Sequence, residues 1–361
     1  GVASAKQKGN ENLKPSKTAE KEIGLNVNFL KKFTFEGTYA KSETTDQFLN
    51  VNLIPFLNDG FSSQYQNAGT VQSNTLELTL GANWLTKGDL SITSNIVFAK
   101  VRQKITDFPI PAYTYTDQSQ GDQYIFYAKA NETYGAMYGR RFVRTLDDMS
   151  RQLPAGKTIS DYEVNSDGYV VPVGTQGLVT EIPIIYSEGG NPWYGKIGDG
   201  NADFNMGISN TIRYKGISLY FLLDWKQGGD IYNGKNQRLV FNLASSILDQ
   251  SNVPVGQKKT FDYYNAFYDG NNSNQYWVEK GTYMKLREVA LGYTLNSKAL
   301  QGVFKGAVKE ITAKVIGRNL LTFTKYSGYD PEVGTIRQPY DGIYMNPNYR
   351  NIAVSLSLIH I

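Results

Sequence analysis

Asp199, Asn201 and Asp203 place side-chain oxygens at every second residue, the spacing by which a calcium loop gathers hard ligands. Phe204 stands where such a loop needs Gly, and no Glu follows to close the site, so the pattern fits a polar loop leading into a strand better than a bound ion. Asp269, Asn271 and Ser273 repeat it more weakly. Gly195, Gly198 and Gly200 are spaced loosely like a phosphate-binding loop, yet a strand-like segment follows them instead of a helix, and they read as turn glycines. Tyr263, Tyr264, Phe267, Tyr268, Tyr276 and Trp277 crowd one long segment. Their ring faces could stack against a sugar or a partner protein, or pack the segment onto its neighbours, and packing is the favoured reading.

Catalytic chemistry finds few of its usual residues. The chain has no Cys, which removes disulfides, thiolate zinc sites and Cys nucleophiles together, and its one His, His360, has no Ser or Asp arrangement around it in sequence. No pair of carboxylates stands out for hydrolysis. No catalytic residue, cofactor or metal is therefore expected, and the protein reads as a non-enzyme.

The composition points to β structure: 26 Tyr and 17 Phe suit pleated surfaces, and 35 Gly suit turns. Thirty-seven basic residues against 33 acidic ones give a net charge of +4, scattered along the chain without the basic stripe that nucleic acid requires. No apolar run approaches the roughly 18 to 20 residues of a membrane helix, so any membrane crossing must use strands.

Alternation of apolar and polar residues marks those strands. Ile23, Leu25, Val27 and Phe29 lead through Lys31-Lys32 to Phe33, Phe35, Gly37 and Tyr39. Leu76 to Trp84 turns within Thr86-Lys87-Gly88-Asp89 into Leu90 to Phe98, and Phe204 to Tyr214 turns at Lys215-Gly216 into Ile217 to Trp225. A fourth pair joins Tyr283 to Leu295 with Ile311 to Phe323, and Ile352 to Leu358 forms a last strand. Between Leu286 and Val289 the apolar phase slips by one, which predicts a bulge near Arg287-Glu288.

Short turns alternate with long polar connections at 41–73, 103–203, 226–281 and 325–348. Compact soluble domains rarely do this, whereas outer-membrane barrels pair short periplasmic turns with long extracellular loops. Aromatics fall near strand ends, Phe33, Trp84, Tyr214 and Tyr293 by the short turns and Tyr39, Trp225, Tyr283 and Phe323 by the long loops, as two interfacial girdles would require. The alternative is a soluble or surface β-sandwich adhesin that binds glycans, whose core the same aromatics would fill. About nine strands are an odd number, and single-chain bacterial barrels have even ones, so an incomplete barrel is expected.

The run Trp277-Val278-Glu279-Lys280-Gly281-Thr282-Tyr283-Met284-Lys285-Leu286-Arg287, followed by Leu291-Gly292-Tyr293, and above all Arg318-Asn319-Leu320-Leu321-Thr322-Phe323-Thr324-Lys325-Tyr326-Ser327-Gly328-Tyr329-Asp330-Pro331-Glu332, resembles the SusC/RagA group of TonB-dependent outer-membrane transporters. Tyr134-Gly135-Ala136-Met137-Tyr138-Gly139-Arg140, Asn165-Ser166-Asp167-Gly168-Tyr169 and Gly228-Gly229-Asp230-Ile231-Tyr232-Asn233 are similar to further family segments in the expected order. The resemblance covers nearly all of the chain beyond Glu20, and Arg318, Asn319, Gly328, Tyr329, Asp330, Pro331 and Glu332 carry its signature. It implies an all-β fold: the C-terminal portion of an antiparallel transmembrane barrel of about 22 strands with long extracellular loops. On that reading residues 1–21 are the remnant of an extracellular loop and 22–361 hold about 9 to 11 barrel strands, with the plug domain and N-terminal strands lacking a counterpart here. It further implies import of an oligosaccharide or peptide across the outer membrane of a Gram-negative bacterium. The implied partners are a SusD-like surface lipoprotein, the TonB-ExbB-ExbD complex acting through the N-terminal part, and outer-membrane lipid. One departure is the ending Leu358-Ile359-His360-Ile361, where the family usually finishes on an aromatic residue.

Overall fold

Nine strands form one antiparallel sheet in which every strand pairs with its sequence neighbours, a plain meander. A computed structural model describes residues 7–115, 125–268, 273–296, 300, 304, 307–335, 338–343 and 345–360. The strands are β1 Lys17–Phe29, β2 Phe33–Thr45, β3 Thr70–Lys87, β4 Leu90–Asp107, β5 Ala202–Tyr214, β6 Ile217–Gly228, β7 Tyr283–Asn296, β8 Val308–Thr324 and β9 Asn351–His360. The sheet is not closed: β1 and β9 are its two edges, each hydrogen-bonded on one side only.

The short turns take the forms their residues allow. Leu30 and Lys31 both adopt positive φ, at 52° and 53°, and Lys32 N–H donates back to the Phe29 carbonyl. Two such residues in succession give the turn twist that matches paired strands, although neither is the Gly or Asn that reaches it without strain. Lys215-Gly216 makes the same turn between Tyr214 and Ile217, and there Gly216, at φ 84°, fits without a Cβ penalty. Gly88-Asp89 joins β3 to β4. The fourth short connection, between β7 and β8, falls largely outside the described residues.

Register shows how consistently the sequence separates two faces. Val27 lies opposite Phe35, then Leu80, Ile96, Ile208, Leu223, Leu286 and Leu321 in one row across β1 to β8. The adjacent row on the other face reads Asn26, Glu36, Thr79, Val97, Gly207, Asp224, Lys285 and Thr322. No second sheet covers the apolar face among the described residues, and Ile352, Val354 and Leu356 are 72%, 78% and 73% exposed. This excludes the β-sandwich alternative, whose inner faces must bury each other. It fits a wall with lipid outside and a polar lumen inside.

One position on the oily face departs from this pattern. Ser94 and Asn210 stand where the neighbouring rows carry hydrocarbon, and Ser94 Oγ donates to Asn210 Oδ1 at 2.5 Å. A bulge between Asn83 and Leu85 frees Trp84 from pairing, and its indole N–H donates to Ser94 Oγ at 2.8 Å. The same ring packs edge-on against Phe33, which stacks on Phe29.

The long connections fold too, and the first three are shorter than alternation suggests while the last is slightly longer. They are 46–69, 108–201, 229–282 and 325–350, because β2, β3 and β4 run on through polar residues such as Ser42 to Thr45. The strands inside 108–201 belong to sheets of their own and do not join the wall: Gly195–Asp199, Ala136–Gly139, Phe126–Ala128 and Tyr113–Tyr115 form one. Residues 46–69 carry Phe48–Asn52 and Ser63–Asn67, with Gln7–Lys8 added in parallel to the latter. The segments 108–201, 229–282 and 325–350 pack together as a cap at the long-loop end. Among the described residues no helix is long and apolar enough to cross a membrane.

Candidate functional site

The slip in apolar phase on β7 becomes a bulge at Arg287. Leu286 pairs with Leu223 and Leu321, Glu288 pairs with Leu222 and Arg318, and Arg287 is left over between them. Across from it β8 spends two residues, Asn319 and Leu320, with Asn319 at φ 51°. Arg287 keeps the lumenal parity of Lys285, and the bulge turns the following Glu288 to the same face and restores Val289 to the outward one.

Those two cations meet three carboxylates. Lys285 Nζ lies 2.6 Å from Asp330 Oδ1 and 3.0 Å from Glu332 Oε2. Arg287 reaches Asp224 Oδ2 at 2.6 Å and Glu332 Oε1 at 2.5 Å. Asp330 and Glu332 come from the last long connection, so the signature residues fold back onto the barrel wall. Asp330 also accepts from the backbone N–H of Asn348 at 3.0 Å, drawing together the two ends of 325–350. Burial alone would raise both loop carboxyls. The hydrogen bonds from Lys285 and two backbone N–H groups hold Asp330 below the ordinary range, and those from Arg287 and Lys285 do the same for Glu332.

Other signature residues serve nearby. Arg318 Nε donates to Glu288 Oε2 at 2.8 Å, and Asn319 Nδ2 donates to the Tyr349 carbonyl at 3.0 Å. Gly328 abuts the Tyr326 ring, where a Cβ would collide, and Pro331 is buried. Tyr329 is exposed with the Lys235 ammonium 4.8 Å from its ring centre.

The middle of the same connection is tied to 229–282. Tyr232 N–H donates to the Pro339 carbonyl and Asp341 N–H to the Tyr232 carbonyl, both at 2.9 Å. Asp341, fully buried, receives the Tyr326 hydroxyl at 2.7 Å and lies 3.0 Å from Lys235 Nζ. The last connection is thus a strap between wall and cap.

The crowded aromatics form the centre of the cap. Helix α1, Gly234–Phe241, is capped by Asn233 and helix α2, Phe261–Asn265, by Thr260, so that Tyr263, Tyr264 and the following Phe267 turn inward. Tyr263, Phe267 and Trp277 have at most 1% of their surface exposed, and Tyr264 is buried. Tyr276 stacks on Phe267 at 3.8 Å, and Tyr268 stacks on Phe241 at 4.5 Å. Four of the six are core and Tyr268 and Tyr276 are half-buried, which favours packing over a stacking surface for a sugar, since a ring needs a free face to hold one. A buried pair, Lys259 Nζ to Glu181 Oε1 at 2.5 Å, joins 229–282 to 108–201 beside it. Tyr263 hydroxyl donates to Asp167 at 2.8 Å, and burial together with that carboxylate pushes its pKa upward.

Asp199, Asn201 and Asp203 do not converge on an ion. Asp199 receives Lys196 Nζ at 2.8 Å, the Thr133 hydroxyl at 2.5 Å and Asn201 Nδ2 at 2.6 Å, so its oxygens are already engaged. Burial would raise the Asp199 carboxyl, but these donors hold it below its usual range. Asp203 turns away to Arg102 at 3.2 Å. Among the described residues no cluster of three His, Cys, Asp or Glu could hold a metal; Asp269 and Asn271 lie outside the described residues. The girdle role expected of Tyr283 is corrected by the structure. Seven of the eight proposed girdle aromatics face outward, but Tyr283 neighbours outward Met284, points into the lumen and is buried, its hydroxyl 3.4 Å from Asp224. The period-two rule already put it there. Sequence reasoning missed Lys285, Arg287 and Asp224 as partners of the signature carboxylates. The only signal was two cations flanking a phase slip.

The comparisons with known proteins agree with this geometry. The family described as TonB dependent receptor-like, beta-barrel, matches residues 1–171. TonB-dependent receptor P3 of Formosa agariphila is 24% identical over 327 residues, covering 90% of this chain and 31% of the relative. TonB-dependent receptor SusC of Bacteroides thetaiotaomicron is 22% identical over 365 residues, covering 97% and 32%. The solved RagAB peptide transporter superposes with a TM-score of 0.66 at 18% identity, covering 95% of this chain and 35% of that one. The chain spans about a third of the length of the curated relatives it matches.

Proposed function

We infer that this chain, which is C-terminal barrel sequence of a SusC/RagA-type TonB-dependent outer-membrane receptor, supplies wall and outer cap to an importer of a hydrophilic nutrient, an oligosaccharide or a peptide. One observation carries the reading: across the strands one face is predominantly apolar and uncovered and the other predominantly polar, with few exceptions such as Ser94 and Asn210 outside and Val97 inside. Such a wall separates lipid from a wet passage, and a wide barrel has room for such a solute. The long-loop end is extracellular. The boundary between loop and wall falls earlier than the expected 21/22: Lys17 to Lys21 already pair in β1, so loop sequence at that end stops before Lys17 and the rest is wall strands with their loops.

A SusD-like lipoprotein seats on the folded cap, and TonB-ExbB-ExbD drives transport through the N-terminal part of the whole receptor. The name of the RagAB neighbour, a peptide transporter, supports a peptide as one substrate class. The test is uptake of labelled oligosaccharide and peptide mixtures by cells with and without the whole receptor. Loss of uptake of one class on deletion, and its collapse when the proton gradient is dissipated, is the expected result. Unchanged uptake of both classes refutes the reading.

A further inference from the structure

We propose that Arg287 is a carboxylate-binding subsite on the lumenal wall, filled in this structure by the chain's own Glu332, and that a carboxylate-bearing solute displaces Glu332 and loosens the strap. The inference rests on the transport reading, since it needs a solute in the lumen.

The network has two unequal limbs. In the Lys285–Asp330 limb the side chains are 2% and 9% exposed, and Asp330 is further held by two backbone N–H groups. Removing Asp330 would strand a buried ammonium. In the Arg287–Glu332 limb the side chains are 19% and 36% exposed, so water and small solutes reach it. Asp224 Oδ2 takes the Nε and Nη2 side of the guanidinium at 2.7 and 2.6 Å, and Glu332 Oε1 shares Nη2 at 2.5 Å. Among the described residues Nη1 has only Asn319 Oδ1, at 3.4 Å. A guanidinium in that state presents an edge that suits a second carboxylate.

Exchange at this edge replaces one carboxylate by another, so no net charge is buried or exposed. Among the described residues Glu332 Oε1 hydrogen-bonds to Arg287 alone, while Oε2 keeps Lys285 and Asn348 Nδ2, at 3.0 and 2.7 Å. The displaced residue lies on the strap whose middle holds the cap through Asp341 and Tyr232. Occupancy of the lumen is thereby reported to the cap, while Asp330 keeps the base of the strap in place. The recognised chemistry is a carboxylate, whether of a peptide C-terminus or of an acidic sugar.

This chain has no Cys, so once any Cys elsewhere in the whole receptor is changed to Ser, Tyr329→Cys places a single spin label on the exposed part of the strap. The probes are trialanine against trialanine amide and galacturonate against galactose, at fixed ionic strength. The acid of one pair or of both should mobilise the label while its neutral counterpart does not, and the responding pair identifies the source. Glu332→Gln, a loop change that leaves the wall intact, should lower the half-saturating concentration of the responding acid about tenfold, the worth of one charged hydrogen bond. Arg287→Gln should abolish the difference within the pair. Equal responses to acid and neutral partners, silence of all four, or an unchanged midpoint in Glu332→Gln overturns the subsite. Cellular uptake of the same compounds separates the failures: uptake without preference for acids sinks this inference alone, while a receptor whose deletion alters no nutrient uptake sinks the transport reading.

Discussion

The wall and the cap are made from the same amino acids by two different rules. In the wall a residue's surroundings follow from its parity: Ile208 meets lipid because it lies opposite Ile96 and Leu223, and Ser209 meets the lumen because it is next in line. In the cap no period applies. Phe142 touches Phe267, and Lys259 finds Glu181, because three connections far apart in sequence fold onto each other. The wall tolerates whatever suits its two solvents, whereas the cap needs particular shapes and complete partners.

That contrast can be broken deliberately. Lys259→Met strands the buried Glu181 and should cost the cap about 3 to 5 kcal/mol, while Lys259→Met with Glu181→Leu recovers most of it. Hydrogen exchange should show the loss across 125–201 and 229–268 with β1 to β9 still protected; equal loss in the wall would erase the distinction. Trp277→Ala, which empties a core position and removes the indole donor to the Phe267 carbonyl, should cost about 3 to 5 kcal/mol in the same region.

Ile208→Arg should cost the whole barrel about 2 to 4 kcal/mol on folding into lipid vesicles, and Ser209→Arg close to nothing, because only the first meets hydrocarbon. Similar costs would mean that the two faces are not two solvents. The strap, which joins both regions, responds to acid. Asp330 and Glu332 are held below their ordinary range in the folded protein, so their contribution is present at neutral pH. It should fade only as the pH falls below the usual carboxylate range of about 4, read as exchange rising in 325–350 before it rises in β7. The smallest effect belongs to the first turn: Leu30→Gly removes a positive-φ leucine and should stabilise that hairpin by about 1 kcal/mol.

What could be read in the sequence follows the same division. Alternation places all nine strands, the Lys215-Gly216 turn and the bulge at Arg287, since each leaves a local mark. Parity even contradicts the girdle role of Tyr283, since Met284 beside it faces outward. Strand ends were less visible, because β2 to β4 continue beyond the membrane-facing rows in residues that no longer alternate in hydropathy. The aromatic cluster was visible as a cluster, but its burial depends on Phe142 and Tyr169 arriving from another connection. Asp330 and Glu332 were visible as signature residues, yet their cations lie more than forty positions away, and no spacing rule links a loop carboxylate to a bulge.

Because Asp330 ties to both Lys285 and Asn348, the stretch between them leaves from and returns to one point on the wall. The entropy of closing such a ring grows only with the logarithm of its length, so doubling it costs about 0.6 kcal/mol. Insertions placed beyond Glu332 and before Pro339 therefore leave the staves of the barrel undisturbed. At this point on the rim, descendants or designers can graft a longer tongue for a new cargo without rebuilding the vessel.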